Sequence, residues 1–342
     1  MTERKLATIR QINNLKPIPN ADLIEVAVID GWEVVVKKGE FNVNDLCVYF
    51  EIDSWIPTEL APFLSKGKEP KEYKGIKGER LKTIKLKGQI SQGLALPIDQ
   101  YTEMCASVGD DLTENLNILK WEPEIPAQLA GKLEGNFPYY IPKTDQERIQ
   151  NYIRNMPLTV NQWEVTEKLD GSSMTVYRAR DIAKMDGGHR MGVCSRNYEL
   201  KLEDTSNAFV STALKLQLFD KLHAYNLNVA LQGELIGPGI QKNPYELSEL
   251  KYYIYDIFDI DKQRYYLPAK RQALCSILQL KHVPVFANYE TDSRTTVSEL
   301  LTFAEGLSHL NPRTQREGLV FKNVINNESF KAISNAWLLK ND

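Results

Sequence analysis

EKLDGSS, residues 167–173, decides how the chain reads. Before it, WEVTEK (163–168) alternates apolar Trp163 and Val165 with polar residues; after it, MTVYRA (174–179) is rich in β-formers. With Asp170-Gly171 between them, the pattern predicts strand, tight turn, strand, and puts Lys168 at the end of the first strand. A lysine fixed beside a carboxylate at a turn serves as a nitrogen nucleophile where a cationic environment lowers its pKa. An ordinary surface hairpin carries the same letters. The pattern K-x-D-G recurs by chance in about one chain in ten of this length, so its meaning rests on the rest of the sequence.

The 342 residues leave room for about two domains. A composition 42% hydrophobic and 25% charged is that of a globular protein with proper cores. A net charge of −3 excludes a wholesale electrostatic binder, so a nucleic-acid surface has to be a local basic patch. Cys47, Cys105, Cys194 and Cys275 form no C-x-x-C pair, which predicts reduced thiols rather than a zinc site or disulfide framework. No apolar run approaches a membrane span and the start, MTERKLATIRQ, has no signal-peptide core; a cytoplasmic protein without membrane contact is expected. No apolar heptad suggests an oligomer, so a monomer is expected.

Outward toward the N-terminus, residues 4–100 read as short strands punctuated by turns: RKLATIRQINNL, LIEVAVIDGWEVVVKKGE around Asp30-Gly31, DLCVYFEID (45–53) and ERLKTIKLKGQISQGLALPI (79–98). Strands at this spacing predict a small antiparallel barrel. The phrases IPNADLIEV, KKGEF, YFEID and GQISQGLALP resemble an OB-fold module of the kind related to tRNA-binding domains. Lys82, Lys85 and Lys87 read as alternating on one strand face and, with Lys37 and Lys38, as a basic groove. SKGKEPKEYKGIK (65–77) reads as a mobile loop. The OB-type domain is placed at 1–120, a proline-rich docked linker at 121–150, and a second domain at 151–342. The linker ends in KTDQERIQN, with Asp145, Arg148 and Asn151; the Arg148 guanidinium is a candidate phosphate ligand.

Toward the C-terminus the reading is a hairpin tip at Asp186-Gly187-Gly188, a return strand carrying VCSRN, and one long amphipathic helix over 202–226. That helix buries Phe209, Leu214, Leu218 and Leu222. Strands follow at NVALQGELIG (228–237) and YYIYDIFDI (252–260). Next come helices at about 268–281 and 297–310, the second with a Thr296/Glu299 capping box, and closing strands at REGLVFKNV (316–324) and SFKAIS (329–334). The fold class is α+β, with antiparallel sheets flanked by helices, no βαβ alternation and no glycine-rich phosphate loop.

In order, K-L-D-G, S-R-N, Q-G-E-L-I-G, Y-I-Y-D-I-F, E-G-L-V-F-K and S-F-K-A-I-S resemble the nucleotidyltransferase motifs of the covalent ligase and capping-enzyme superfamily. The N-terminal OB-like module, PKTDQERIQN and SQGLALP resemble one clade, the ATP-dependent RNA ligases of the Deinococcus and Naegleria type that seal 3′-hydroxyl/5′-phosphate nicks. The resemblance covers essentially the whole chain. It implies lysyl-AMP formation from ATP with a divalent cation, Mg²⁺ or Mn²⁺, transfer of AMP to an RNA 5′-phosphate, and displacement of AMP by a 3′-hydroxyl. The partner it implies is a nicked duplex with an RNA 3′-hydroxyl strand.

By that resemblance Lys168 is the nucleophile. Glu317 holds the metal or its waters, with Asp170 and Glu234 as further metal contributors; Glu234 serves equally for the ribose hydroxyls. Arg196 binds nucleotide or the RNA 5′-phosphate, Tyr255 stacks on adenine with Phe258 as the alternative ring, and Lys331 contacts the α-phosphate. Many relatives carry a second lysine two positions on, where this chain has Ile333, and Lys322 is the substitute cation. Ser173 stands where some ligases use Asn or Arg. None of His189, His223, His282 and His309 lies in a motif, which argues against a hydrolase relay. The alternatives are a DNA ligase, a GTP-using capping enzyme, or an inactive nucleic-acid-binding protein; retention of Lys168, Glu234, Glu317 and Lys331 together argues against the last.

Overall fold

The K-x-D-G turn does not close a hairpin. In the computed structural model, which describes residues 4–100, 107–122, 130–155, 159–180 and 188–341, the turn passes the chain from one sheet to another. The strand Asn161–Lys168 lies between Val285–Thr291 and Gly318–Asn323 in a five-stranded sheet, completed by Ser329–Ile333 and the short strand Glu147–Arg148. The strand Ser172–Arg180 lies between His189–Cys194 and Val229–Ile236 in an eight-stranded sheet, whose other main members are Lys251–Asp259, Tyr198–Leu200 and Leu133–Asn136. Both sheets belong to one unit, made chiefly of Ile125–Ile149 and Pro157–Trp337.

Alternation along each strand sorts the side chains. In the five-stranded sheet Trp163, Val165, Phe321 and Phe330 are buried on one face, with Phe321 and Phe330 stacked at 4.7 Å. Glu164, Thr166 and Lys168 take the other face. In the eight-stranded sheet Met174, Val176, Val193, Leu231 and Ile254 pack under the helices Ala208–Lys215, Leu218–Ala224 and Pro268–Ile277 through Phe209, Ala213, Leu222 and Cys275.

The second unit is the antiparallel β-structure of Thr2–Glu124, joined by Gln150–Met156 and Leu338–Asp342. Its strands Ala7–Gln11, Leu46–Phe50 and Leu94–Pro97 form one sheet and Asn14–Pro17, Ile24–Ile29 and Trp32–Lys37 another. Val48, Phe50, Ile56, Leu81 and Leu96 fill its core. Asn151 belongs here and not to a nucleotide site: its Oδ1 accepts from Trp32 Nε1 (2.8 Å) and its Nδ2 donates to Glu51 Oε1 (2.6 Å).

Several expectations need correction. The helix expected over 202–226 is two helices, because Gln217 adopts a left-handed conformation (φ 53°) between them. Leu214, assigned to its buried side, is exposed. The stretch 65–77 is not a loop throughout: Lys71–Tyr73 pairs with Ile76–Arg80 across a Lys74-Gly75 turn with φ of 49° and 82°. Both positive values are what a two-residue hairpin requires. The lysines of 82–87 do not alternate along one strand. Only Lys85 lies in the strand Thr83–Leu86; Lys82 precedes it, and Lys87 with Gly88 forms a second such turn, with φ of 48° and 87°. The stretch 121–150, read as a connector, contributes the strands Leu133–Asn136 and Glu147–Arg148. Asp186-Gly187 and Cys105 lie outside the described residues; Cys47, Cys194 and Cys275 are buried free thiols. Among the described residues no helix is long and apolar enough to cross a membrane.

Candidate active site

Strand register brings the motifs together. Lys168 pairs with Gly318, which sets Glu317 beside it, and the Lys168 Nζ lies 2.7 and 2.8 Å from the two Glu317 carboxylate oxygens. Ser173 pairs with Glu234 in the other sheet, so Glu234 faces the same space. Gly171 is required by the crossing between sheets: a Cβ there would sit 2.5 Å from the Leu235 carbonyl oxygen and 2.8 Å from Glu234 Cγ. The turn is pinned from outside the motif as well, since the Asp170 amide donates to the Tyr245 hydroxyl at 2.6 Å.

One ammonium therefore meets three carboxyl groups. Burial alone lowers the Lys168 pKa, but Glu317, Glu234 and Asp170 outweigh it and the net shift is upward. Lys168 is an ammonium ion here, not yet a nucleophile. Asp170 and Glu234 shift upward as well, toward their neutral forms: burial and then Glu317 push Asp170 up to about 7. Burial, opposed by Lys168 and reinforced by Glu317 and Asp170, pushes Glu234 up to about 8. Once ionised, the three carboxyl groups would outnumber the single lysine, a donor set that fits a divalent cation. Among the described residues no three carboxylate, imidazole or thiol groups form a closed cage. That suits Mg²⁺ or Mn²⁺, which hold several waters and take one or two carboxylates plus phosphate oxygens.

Three cations expected to meet phosphate, Lys331, Arg148 and Arg196, come from other elements, and Lys331 is close enough to Lys168 to feel its charge. Lys331 pairs in register with Val320, and Arg148 lies opposite Lys331 across the parallel strand pair. Asp145 links two of the predicted phosphate ligands: its Oδ1 accepts from Lys331 Nζ at 2.7 Å and its Oδ2 from Arg196 Nη2 at 3.3 Å. Arg196 sits just past the strand end rather than in it. Burial is the main cause that lowers the Lys331 pKa to about 8, with Lys168 and Arg148 adding to it and Asp145 opposing.

Of the two candidate adenine rings, Phe258 is committed to packing with Tyr177, Cys194 and Ala230. The Tyr255 hydroxyl is held by Thr144 (2.8 Å) and Ser173 (2.9 Å), which fixes its ring next to the strand that follows the K-x-D-G turn. Ser173 thus positions an aromatic ring. Ile333 is buried and provides no cation, and the Lys322 ammonium is taken up by Asp256 and the Tyr255 carbonyl. Tyr245 and Asp256 were not foreseen; their partners are far away in sequence, and NPYE (243–246) and YDIF (255–258) carry no local mark of them.

An OB-fold domain model matches residues 6–98, and the family model described as RNA ligase matches residues 161–333. Among solved structures the chain is similar to a Naegleria gruberi RNA ligase variant with ATP and Mn: 46% identity, covering 98% of this chain and 99% of that one, with a TM-score of 0.90. A second, the Naegleria gruberi RNA ligase with PPi, is 46% identical over 99% of each chain, with a TM-score of 0.90. A third, a variant of the same ligase with AMP and Mn, is 46% identical over 98% and 99%, with a TM-score of 0.89. No curated protein sequence matches.

Proposed function

The chain belongs to the RNA ligase family, and from that premise we propose that it is an ATP-dependent ligase that seals RNA 3′-hydroxyl/5′-phosphate ends at nicks, through a lysyl-AMP on Lys168 and an RNA-adenylate. The observation that carries this reading is the Lys168–Glu317 pair at 2.7 Å with Glu234 and Asp170 around it. A primary amine, an excess of carboxylate and a bank of cations in one cleft are what nucleotidyl transfer to nitrogen needs. The work is in-line positioning plus neutralisation of phosphate charge.

In the first step the Lys168 nitrogen forms a bond to the α-phosphorus and pyrophosphate leaves. Lys168 must lose its proton first. Glu317, with Asp170 or Glu234, would hold a divalent cation, whose positive charge would lower the lysine pKa and stabilise phosphoryl oxygens. Lys331 contacts the α-phosphate; Arg148 and Arg196 bind the remaining phosphate oxygens or, later, the RNA 5′-phosphate. Tyr255 offers its face to adenine, and Lys322, with its charge already matched by Asp256, shapes the wall beneath that ring. Glu234 is the acceptor for the ribose hydroxyls whenever it is not a metal contributor. Residues 1–120 serve as the nucleic-acid-binding domain. Their Lys74-Gly75 and Lys87-Gly88 turns present exposed ammonium groups to a phosphate backbone.

Labelling with α-labelled ATP and, in parallel, GTP tests the first step, and sealing of nicked duplexes tests the rest. An acid-labile AMP adduct from ATP only, followed by sealing that requires an RNA 3′-hydroxyl strand and a 5′-phosphate, is expected. Labelling from GTP alone would make it a capping-type enzyme. Equal sealing with a DNA 3′-hydroxyl strand would make it a general ligase.

A further inference from the structure

Asp145 places a carboxylate across the two cations assigned to phosphate, 2.7 Å from Lys331 and 3.3 Å from Arg196. The residues on both sides of it are tied down. The Pro142 carbonyl accepts from Gln232 Nε2 at 2.8 Å, and Lys143 Nζ donates to Asn197 Oδ1 at 3.1 Å. Thr144 bonds the Tyr255 hydroxyl at 2.8 Å, and Gln146 Nε2 donates to Asp256 Oδ2 at 3.3 Å. Glu147 and Arg148 then join the five-stranded sheet opposite Phe330 and Lys331. The strap thus bridges the two sheets of this unit, and the Asp145 side chain, 39% exposed, reaches from it to Lys331 and Arg196.

We propose that Asp145 is an internal stand-in for phosphate: it holds Lys331 and Arg196 in place in the nucleotide-free protein, and the polyphosphate must displace it to bind. The inference rests on the reading that Lys331 and Arg196 are phosphate ligands. A carboxylate and a phosphate oxygen make the same charge-assisted bonds to these cations, so the two compete. Because the strap is anchored, the displaced carboxylate stays close and repels the phosphates it has yielded to. Two consequences follow. Nucleotide affinity is lower than the cations alone would give, and pyrophosphate is expelled more readily once Lys168 carries AMP. Without Asp145, Lys331 and Arg196 would be uncovered cations open to any inorganic anion or drawn toward Glu234 and Glu317.

The test is calorimetric titration of the full-length protein with pyrophosphate and with ATP, comparing wild type, Asp145→Asn, Asp145→Ser and Lys331→Ala. Adenylylation kinetics are measured in parallel. Asp145→Asn and Asp145→Ser are expected to bind pyrophosphate roughly three- to tenfold more tightly, the range expected for removing one partly screened charge. They should lower the KM for ATP, lower kcat for adenylylation at saturating ATP because pyrophosphate leaves more slowly, and make pyrophosphate a stronger inhibitor. Equal or weaker pyrophosphate binding in both Asp145 variants, with Lys331→Ala still weakening it, overturns the stand-in role alone. Unchanged binding in Lys331→Ala overturns the reading of the site beneath it.

Discussion

Two clusters of buried charge lie in the same unit and teach different things. Around Lys168, one ammonium faces Glu317, Glu234 and Asp170, and burial together with the neighbouring charges moves Lys168, Asp170 and Glu234 up from their ordinary pKa values. Beneath Tyr255, Arg271 pairs with Glu164 and Lys322 with Asp256, all four nearly sealed from solvent. There the count is two against two. His282 adds no charge: burial and then Arg271 lower its pKa to about 4, and its Nε2 accepts from Arg271 Nε at 2.9 Å while Nδ1–H donates to the Val283 carbonyl at 2.6 Å. The balanced cluster is complete in itself. The unbalanced one has more carboxyl groups than its single lysine can match, and the proposed function puts metal and nucleotide there.

Breaking the unbalanced cluster should cost chemistry. Lys168→Ala is expected to abolish the AMP adduct altogether, because among the described residues the lysine paired with Glu317 is Lys168. Glu317→Gln keeps the shape and removes one charge, and adenylylation should fall by about 10²–10³-fold, the scale of deleting one preorganised electrostatic group. Both are read by labelling at matched protein and ATP. Breaking the balanced cluster should cost stability instead. Arg271→Leu strands the Glu164 carboxylate in the interior and should destabilise the unit by about 3–5 kcal/mol in chemical denaturation. Adding Glu164→Gln should restore part of that loss, because the stranded charge is then gone. If Arg271→Leu left stability intact while removing activity, the distinction between the clusters would fail.

How much of this was legible in sequence follows from the range of each interaction. The Thr296/Glu299 capping box is local, and both of its reciprocal bonds are present. The closing strands fall at Gly318–Asn323 and Ser329–Ile333, within the stretches read for them, because β-rich runs bounded by polar residues need no distant information. Resemblance assigns both Lys168 and Glu317 to the site, but the cause of their meeting across 149 residues of sequence, the Lys168–Gly318 register, is written nowhere locally. The same limit hid the fact that the Asp170-Gly171 turn joins two sheets. Lys322 looked like a free cation because Asp256 comes from another sheet. The split at Gln217 was missed because a residue without special φ preference was made to turn left-handed by packing on either side. Composition misled at 71–77, where lysines on an edge hairpin read as loop.

The smallest effect sharpens the comparison from the side of pH. Asp170 and Glu234 have folded pKa values of about 7 and about 8 against ordinary values of 3.8 and 4.5. Between those limits the folded protein binds more protons than the unfolded chain, so stability falls as pH rises. The stability present at about pH 4.5 from these two groups is lost progressively up to about pH 8. In chelator, the melting midpoint should therefore decline by a few degrees, about 2–4 °C per kcal/mol, between pH 5.5 and 8.5. Mn²⁺ should raise it more at pH 8 than at pH 6, because only ionised carboxylates attract the cation. Glu234→Gln should flatten both trends. Glu164 and Asp256, already matched by Arg271 and Lys322, leave no comparable demand for metal. Thus a Mn²⁺ increment that persisted unchanged in Glu234→Gln and Asp170→Asn would move the cation out of the Lys168 cluster.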